Sequence, residues 1–116
     1  MQQLFKMITT NANKALKLPK EYGTISENTS NLLLIKKQDQ DPFRNLLKTQ
    51  MEDIELLIHQ GTPIYGDVKF LNEFKIIENN YYFFGEDKFV FGHPEKITDS
   101  INKKLGYNKN FQFLPF

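Results

Sequence analysis

The sequence predicts an α+β fold, in which helices accompany a small, mostly antiparallel β-sheet. Apolar residues recur at helical spacing near both ends of the chain. Between them lie short apolar runs, and two pairs of these runs are joined by a glycine-containing turn, which is the pattern of β-hairpins. The 116 residues are expected to form a single domain, 1–116, that is long enough to bury a core.

A first helix is predicted over 2–18. Four apolar residues follow one another at spacings of four and three: Leu4, Ile8, Ala12 and Ala15. This spacing places them on one face of an amphipathic helix. Pro19 is expected to end the helix, Gly23 to turn the chain, and the polar residues 28–31 to form a loop.

The next predicted elements are a strand and a short helix. Leu32–Ile35 is a continuous apolar run, which favours a strand covered on both faces, although so short a run is also compatible with a helical segment. Pro42 suits the first position of a helix that would carry Phe43, Leu46 and Leu47.

A hairpin is predicted around Gln60-Gly61. Ile54–Ile58 forms the first strand and Thr62–Tyr65 the second, and the glycine in second position favours a type I′ or related turn. Pro63 has no amide hydrogen to donate, so we expect it at a sheet edge or facing outward.

The second half is predicted as a short helix, a hairpin and a final helix. Asp67 is a candidate N-cap for a helix in 68–74. Two aromatic runs flank Gly85-Glu86-Asp87 as a second hairpin. The last helix carries Ile97, Ile101 and Leu105 and ends at Gly106 in a left-handed conformation. The apolar tail, 110–116, is expected to need a docking surface.

Composition excludes several classes of function. The net charge is +1, and basic residues form no stripe interleaved with aromatic residues, so nucleic acid is not an expected partner. The chain has no cysteine, which excludes disulfides and thiolate metal sites. No apolar run is long enough to span a bilayer. We therefore expect a soluble, cytoplasmic protein that does not act at a membrane.

Residues with the chemistry of a catalytic site are few and scattered. The two histidines, His59 and His93, are not arranged as His-x-His, and no carboxylate is spaced to share a metal with either. The aspartates fall mostly at turns and at the starts of elements: Asp39, Asp41, Asp53, Asp67, Asp87 and Asp99. The sequence thus predicts no catalytic residue, no cofactor-binding residue and no metal ligand in this chain.

The aromatic residues of the second hairpin have two interpretations. They are Tyr81, Tyr82, Phe83, Phe84, Phe89 and Phe91. Alternation along two strands would direct some rings into a core and others outward. Core packing is the main interpretation, and a binding surface for another chain is the second.

Several segments resemble, in order, the carboxyl-terminal region of the metal-dependent amidohydrolase superfamily, in its cytosine deaminase and chlorohydrolase-like branch. They are Thr10–Leu16, Gly23-Thr24-Ile25, Leu32–Ile35 and Asp53–Asp67. The resemblance implies that 2–18 is the last helix of the catalytic barrel and that the strands belong to a partial β-sandwich. The loop before Leu32 is one residue shorter than in the family pattern.

The resemblance implies a non-catalytic role. A divalent metal such as zinc, which the family usually binds, and its ligands would lie in a catalytic barrel upstream of this chain. The expected partner is therefore the rest of the parent enzyme, or a second copy joined through unpaired sheet edges, most simply as a symmetric dimer. The alternative is a free-standing protein-interaction module that uses the aromatic hairpin and the apolar tail.

Overall fold

The computed structural model describes residues 2–27 and 29–109. Over these residues the fold is α+β, with four α-helices and a five-stranded antiparallel open sheet, which confirms the predicted class. The elements are α1 (Gln2–Ile8), α2 (Thr10–Leu16), β1 (Leu32–Ile35), α3 (Pro42–Lys48), β2 (Ile54–His59), β3 (Thr62–Asp67), β4 (Tyr81–Phe84), β5 (Lys88–Phe91) and α4 (Pro94–Leu105). The strand order is β1-β2-β3-β5-β4. The chain divides into two compact units, Met1–Thr62 and Pro63–Phe116.

In the first unit, the single helix predicted over 2–18 is wrong, because the chain breaks at Thr9 into α1 and α2. Thr9 has φ −120° and ψ −100°, outside the helical region. The turn at Gly23 passes against this break so closely that a Cβ at Gly23 would lie 2.9 Å from the carbonyl of Thr9. Lys17 then adopts a left-handed conformation (φ 54°) and ends α2 before Pro19.

Strand β1 pairs with β2 in antiparallel fashion. Leu32 lies opposite Ile58 and Leu34 opposite Leu56, and a register shift follows between Leu34 and Ile35. The strand is confirmed at its predicted bounds, but the expectation that both its faces are covered is wrong. Leu32, Leu33 and Leu34 are all exposed, since β1 is an end strand of the sheet.

The predicted short helix after Pro42 is confirmed as α3. Asp41 caps it by accepting hydrogen bonds from the amides of Phe43 (2.9 Å) and Arg44 (3.4 Å). The turn after β2 is also confirmed, with Gln60 at φ 50° and Gly61 at φ 78°. Two successive positive φ angles are the mark of a type I′ turn.

In the second unit, β3 runs two residues beyond its predicted end and is not an edge strand. Pro63 is buried in it, so the prediction of an outward or edge position is wrong. Pairing with β5 begins only at Tyr65. Pro63 lies before this paired part of β3, so its missing amide hydrogen removes no hydrogen bond to β5.

Asp67 does not act as the predicted N-cap. The segment after it, Val68–Glu73, is a 3₁₀-helix, and the Asp67 side chain makes no capping hydrogen bond. Its carboxylate instead pairs with Lys69 and Lys88. A lysine directly opposite on β5 offers a cross-strand ion pair that competes with the cap.

The aromatic hairpin and the final helix are confirmed. Phe89 on β5 is fully buried, and Tyr81 on β4 packs edge-on against it with ring centroids 5.7 Å apart. Gly106 ends α4 with φ 75°, as the sequence predicts. The apolar tail, 110–116, lies outside the described residues.

Candidate interaction surface

The two histidines lie at the ends of different elements, His59 in β2 and His93 before α4. His59 ends β2 and is exposed. His93 precedes α4, and its Nδ1 lies 3.1 Å from Oε1 of Glu95. Within 2–27 and 29–109, no three His, Cys, Asp or Glu side chains are grouped so that they could hold a metal ion.

Three aspartates of the first unit serve the local structure of turns. Asp41 caps α3. Asp39 accepts the amide of Asp41 (3.0 Å) and pairs with Nζ of Lys48 (2.7 Å), and the hydrogen bond from that ammonium lowers the pKa of the Asp39 carboxyl. Asp53 accepts the amide of Gln50 at 2.9 Å. These carboxylates thus have the turn and capping roles that the sequence predicts.

Asp67 is the most buried carboxylate of the second unit, and sequence reasoning missed its role. Burial acts to raise the pKa of its carboxyl, but hydrogen bonds from Lys88 and Lys69 outweigh burial and hold that pKa below its ordinary value. The Lys88 ammonium also lies 5.7 Å from the centre of the Tyr65 ring. If the predicted strand had been extended by two residues, from Tyr65 to Asp67, Asp67 would have been placed within the sheet.

Two buried asparagines organise the loops of the first unit and were also missed. The Asn13 amide donates to the carbonyls of Pro19 and Tyr22. Asn45 accepts the amides of Gln38 (2.6 Å) and Asp39 (3.0 Å) and donates to Lys36 (3.0 Å). An asparagine beside the apolar positions of a short helix is the sequence pattern that would predict hydrogen bonds from its side chain to a neighbouring loop.

The first unit leaves most of its apolar side chains uncovered. Of its described residues, only Leu56 is a buried apolar side chain. Helix α1 buries none of its residues. Large apolar side chains are exposed on α1, α2, β1, α3 and the intervening loop: Leu4, Phe5, Met7, Ile8, Leu16, Leu18, Ile25, Leu32, Leu33, Leu34 and Leu47. We call these eleven side chains the uncovered apolar surface.

Among the described residues, the second unit has more buried apolar side chains than the first and fewer large exposed ones. Tyr65, Leu71, Tyr81 and Phe89 are buried. Burial also raises the pKa of the Tyr81 phenol. A groove of about 340 Å³ lies beside the exposed ring of Phe83 and is lined by Leu71, Phe74 and Ile76, with polar residues at its margin. The groove contains no histidine and one carboxylate, Glu78.

None of the described helices combines the length and the apolar character needed to cross a bilayer. The candidate interaction surface therefore consists of exposed apolar side chains, and the ion pairs of Asp39 and Asp67 have structural roles. No protein-family model, curated protein or solved structure matches the chain.

Proposed function

We propose that this chain is the carboxyl-terminal, non-catalytic part of an amidohydrolase-like hydrolase that acts on carbon–nitrogen or related bonds. Its open sheet would contribute one part of a β-sandwich, and its first helices would pack on the catalytic barrel. The chain would stabilise that barrel and would not take part in hydrolysis.

The observation that carries the proposal is the uncovered apolar surface. A unit of about 60 residues must bury roughly 60% of the surface that its unfolded chain exposes. The first unit has one buried apolar side chain among its described residues, Leu56, against twelve large exposed ones, which are the uncovered apolar surface and Met51. An uncovered area of this composition is typical of a surface that another part of a protein covers.

The order of the elements supports the same proposal. A helix (α2) is followed by a glycine turn at Gly23, by β1 and by the β2–β3 hairpin with its type I′ turn. This is the order that the resemblance to the amidohydrolases implies. The described residues offer no cluster of metal ligands, and in this proposal a divalent metal such as zinc would be held by the catalytic barrel.

The coding sequence that precedes Met1 provides the first test. We expect it to encode a His-x-His motif followed by alternating strands and helices in the same reading frame. An upstream stop codon in frame, with no such segment nearby, would contradict the proposal. This test does not depend on the folding of the isolated chain.

Co-expression with the upstream segment provides the second test. The two parts are expected to co-purify, and Met7→Lys on α1 should reduce the recovered complex at least tenfold, because it places a charge in the uncovered apolar surface. Gln3→Lys adds the same charge to the same exposed helix and is the matched control. Equal recovery of both variants would mean that α1 does not contact the barrel.

A free-standing protein-interaction module is the second candidate, and the exposed aromatic rings favour it. Phe83 and Phe91 remain exposed although Tyr81 and Phe89 on the same hairpin are buried. Large aromatic side chains that are exposed near a groove are common at binding surfaces. This candidate predicts a chain that is encoded alone and whose binding to a protein partner is lost in Phe83→Lys and retained in Met7→Lys.

A further inference from the structure

Strand β1 exposes one side of its backbone and the side chains of both faces. Among residues 2–27 and 29–109 it is an end strand of the sheet, and β2 is its partner there. Leu32, Leu33 and Leu34 are 39%, 49% and 38% exposed. Since successive strand residues point to opposite faces, these values mean that each face of β1 is only partly covered.

The backbone contacts at both ends of β1 show which of its residues face the free edge. The carbonyl of Ser30 accepts from the amide of Gly61 (2.8 Å), and the amide of Lys36 donates to the carbonyl of Asp53 (2.8 Å). Even-numbered residues thus direct their hydrogen-bonding groups toward β2. Because the direction alternates along a strand, the amide and carbonyl of Leu33 face the free edge.

Strand β1 is only four residues long and its register shifts between Leu34 and Ile35, but it lacks the other devices that keep edge strands apart. Natural edges are usually protected by charges, prolines or an inward-pointing polar residue. Leu32–Ile35 contains none of these, and the nearest charges, Lys36 and Lys37, lie at one end only. An uncharged, apolar edge of this kind favours pairing with another strand.

We propose that two copies of this chain pair through β1 as antiparallel strands, related by a two-fold axis at Leu33. In that register Leu33 lies opposite the partner's Leu33 and exchanges both backbone hydrogen bonds with it. Leu32 lies opposite the partner's Leu34, and Lys36 lies opposite the partner's Ser30. The lysines of the two copies are therefore at opposite ends of the ladder.

Other edge pairings are less favourable. A two-fold axis at Leu34 would place Lys36 opposite the partner's Leu32, inside the apolar ladder. The other end strand, β4, has Glu78 before it and Glu86 and Asp87 after it. Antiparallel self-pairing of β4 would bring these acidic ends together, and like charges opposite each other destabilise a strand pair.

The leucines of β1 belong to the uncovered apolar surface, but the dimer is argued from the backbone edge of β1 and does not rest on the proposed function. A dimer through β1 requires neither an upstream segment nor a particular parent enzyme. Failure of the co-expression test leaves the dimer unaffected, and loss of the dimer leaves the co-expression test unaffected.

Charge-swapped variants at Leu33 test both the dimer and its register. The wild-type chain is expected to be a dimer by light scattering at micromolar concentration. Leu33→Lys and Leu33→Glu are each expected to weaken dimerisation at least tenfold, since like charges would meet at the axis. An equimolar mixture of the two should restore a heterodimer. A monomeric wild-type chain, dimeric single variants, or a mixture that remains monomeric would each overturn the proposal.

Cross-linking provides a test that does not add a charge. The chain has no cysteine, so Leu33→Cys introduces a single thiol, which a short bis-maleimide should join to the partner's thiol in high yield. Ile25→Cys is the control, because Ile25 is 87% exposed and lies outside β1. We expect at least tenfold faster cross-linking at position 33, and equal rates would overturn the proposal.

Discussion

At the scale of single residues, the turn at Gln60-Gly61 depends on the freedom of glycine to adopt positive φ. Gly61 has φ 78°, and a Cβ added there would meet no atom within 4 Å. Gly61→Val is therefore expected to destabilise the fold by about 1–3 kcal/mol through backbone strain alone. The midpoint of urea denaturation measures this, and an unchanged midpoint would contradict the turn assignment.

The preceding residue offers a matched control. Gln60 also has positive φ, at 50°, and asparagine tolerates this conformation better than glutamine does. Gln60→Asn is therefore expected to leave the stability unchanged or to raise it by a few tenths of a kcal/mol. Opposite effects of the two substitutions would identify φ as the cause.

Asp67 is expected to make the stability of the fold depend on pH in the acid range. Its folded-state pKa lies below its ordinary value, so its contribution is present above the unfolded-state pKa and is lost as the pH falls through the folded-state pKa. Asp67→Asn should cost about 2 kcal/mol at pH 7, and this difference should shrink toward zero below about pH 4.

The control for this pH dependence is Asp99→Asn on α4, where the side chain is exposed. Denaturation midpoints of the three proteins, measured from pH 2 to pH 7, should show a flatter acid limb for Asp67→Asn only. Parallel curves for Asp67→Asn and the wild-type chain would mean that the pairs with Lys88 and Lys69 do not stabilise the fold.

At the scale of elements, the turn at Gly23 lies in close contact with the break between α1 and α2. A Cβ at Gly23 would lie 2.9 Å from the backbone of Thr9, whereas a Cβ at Gly106 would meet nothing within 4 Å, although both have similar φ, 80° and 75°. Gly106→Ala is expected to cost about 1 kcal/mol through φ alone. Gly23→Ala should cost about 1–3 kcal/mol more, because backbone atoms must move.

Thermal or urea denaturation of these two alanine variants separates the two causes. Equal losses of stability would contradict the close contact between Gly23 and Thr9. A larger loss for Gly23→Ala, with the helix content of the native state reduced by circular dichroism, is the expected result.

The sequence predicts those elements whose cause is local. The turn at Gln60-Gly61, the cap at Asp41 and the left-handed end of α4 at Gly106 each depend on one or two neighbouring residues, and all three are confirmed. The break at Thr9 lies against Gly23, which is distant along the chain. The apolar stripe of 2–18 is continuous, so hydrophobic spacing alone could not reveal that break.

The difference between local causes and contacts that are distant along the chain also explains which features of the candidate surface the sequence predicts. Burial is set by which elements pack together, and the apolar run Leu32–Ile35 has the same sequence whether it lies at the centre or at the end of a sheet. The ion pairs of Asp67 likewise depend on the register that places Lys88 opposite it. Capping propensity is a local property and therefore led to the wrong role for Asp67.

At the scale of the whole molecule, the chain divides into a second unit with several buried aromatic side chains and a first unit with few buried apolar ones. Folding requires buried apolar area to offset the loss of conformational entropy. The first unit is therefore the part whose stability should depend most on association, through either α1 or β1. Amide hydrogen exchange should accordingly be slowest in β5, where Phe89 is fully buried.

The isolated chain is expected to bind no catalytic metal and to hydrolyse no amide or amidine. A catalytic zinc site usually needs three protein ligands and an open position for water, and His59 and His93 lie on different elements in different units. After incubation with zinc and mild chelation, elemental analysis should find much less than one zinc per chain. Retention of stoichiometric zinc that is lost in His59→Ala or His93→Ala would show that this chain holds a metal site of its own, and the catalytic role would then have to be assigned to it rather than to an upstream barrel.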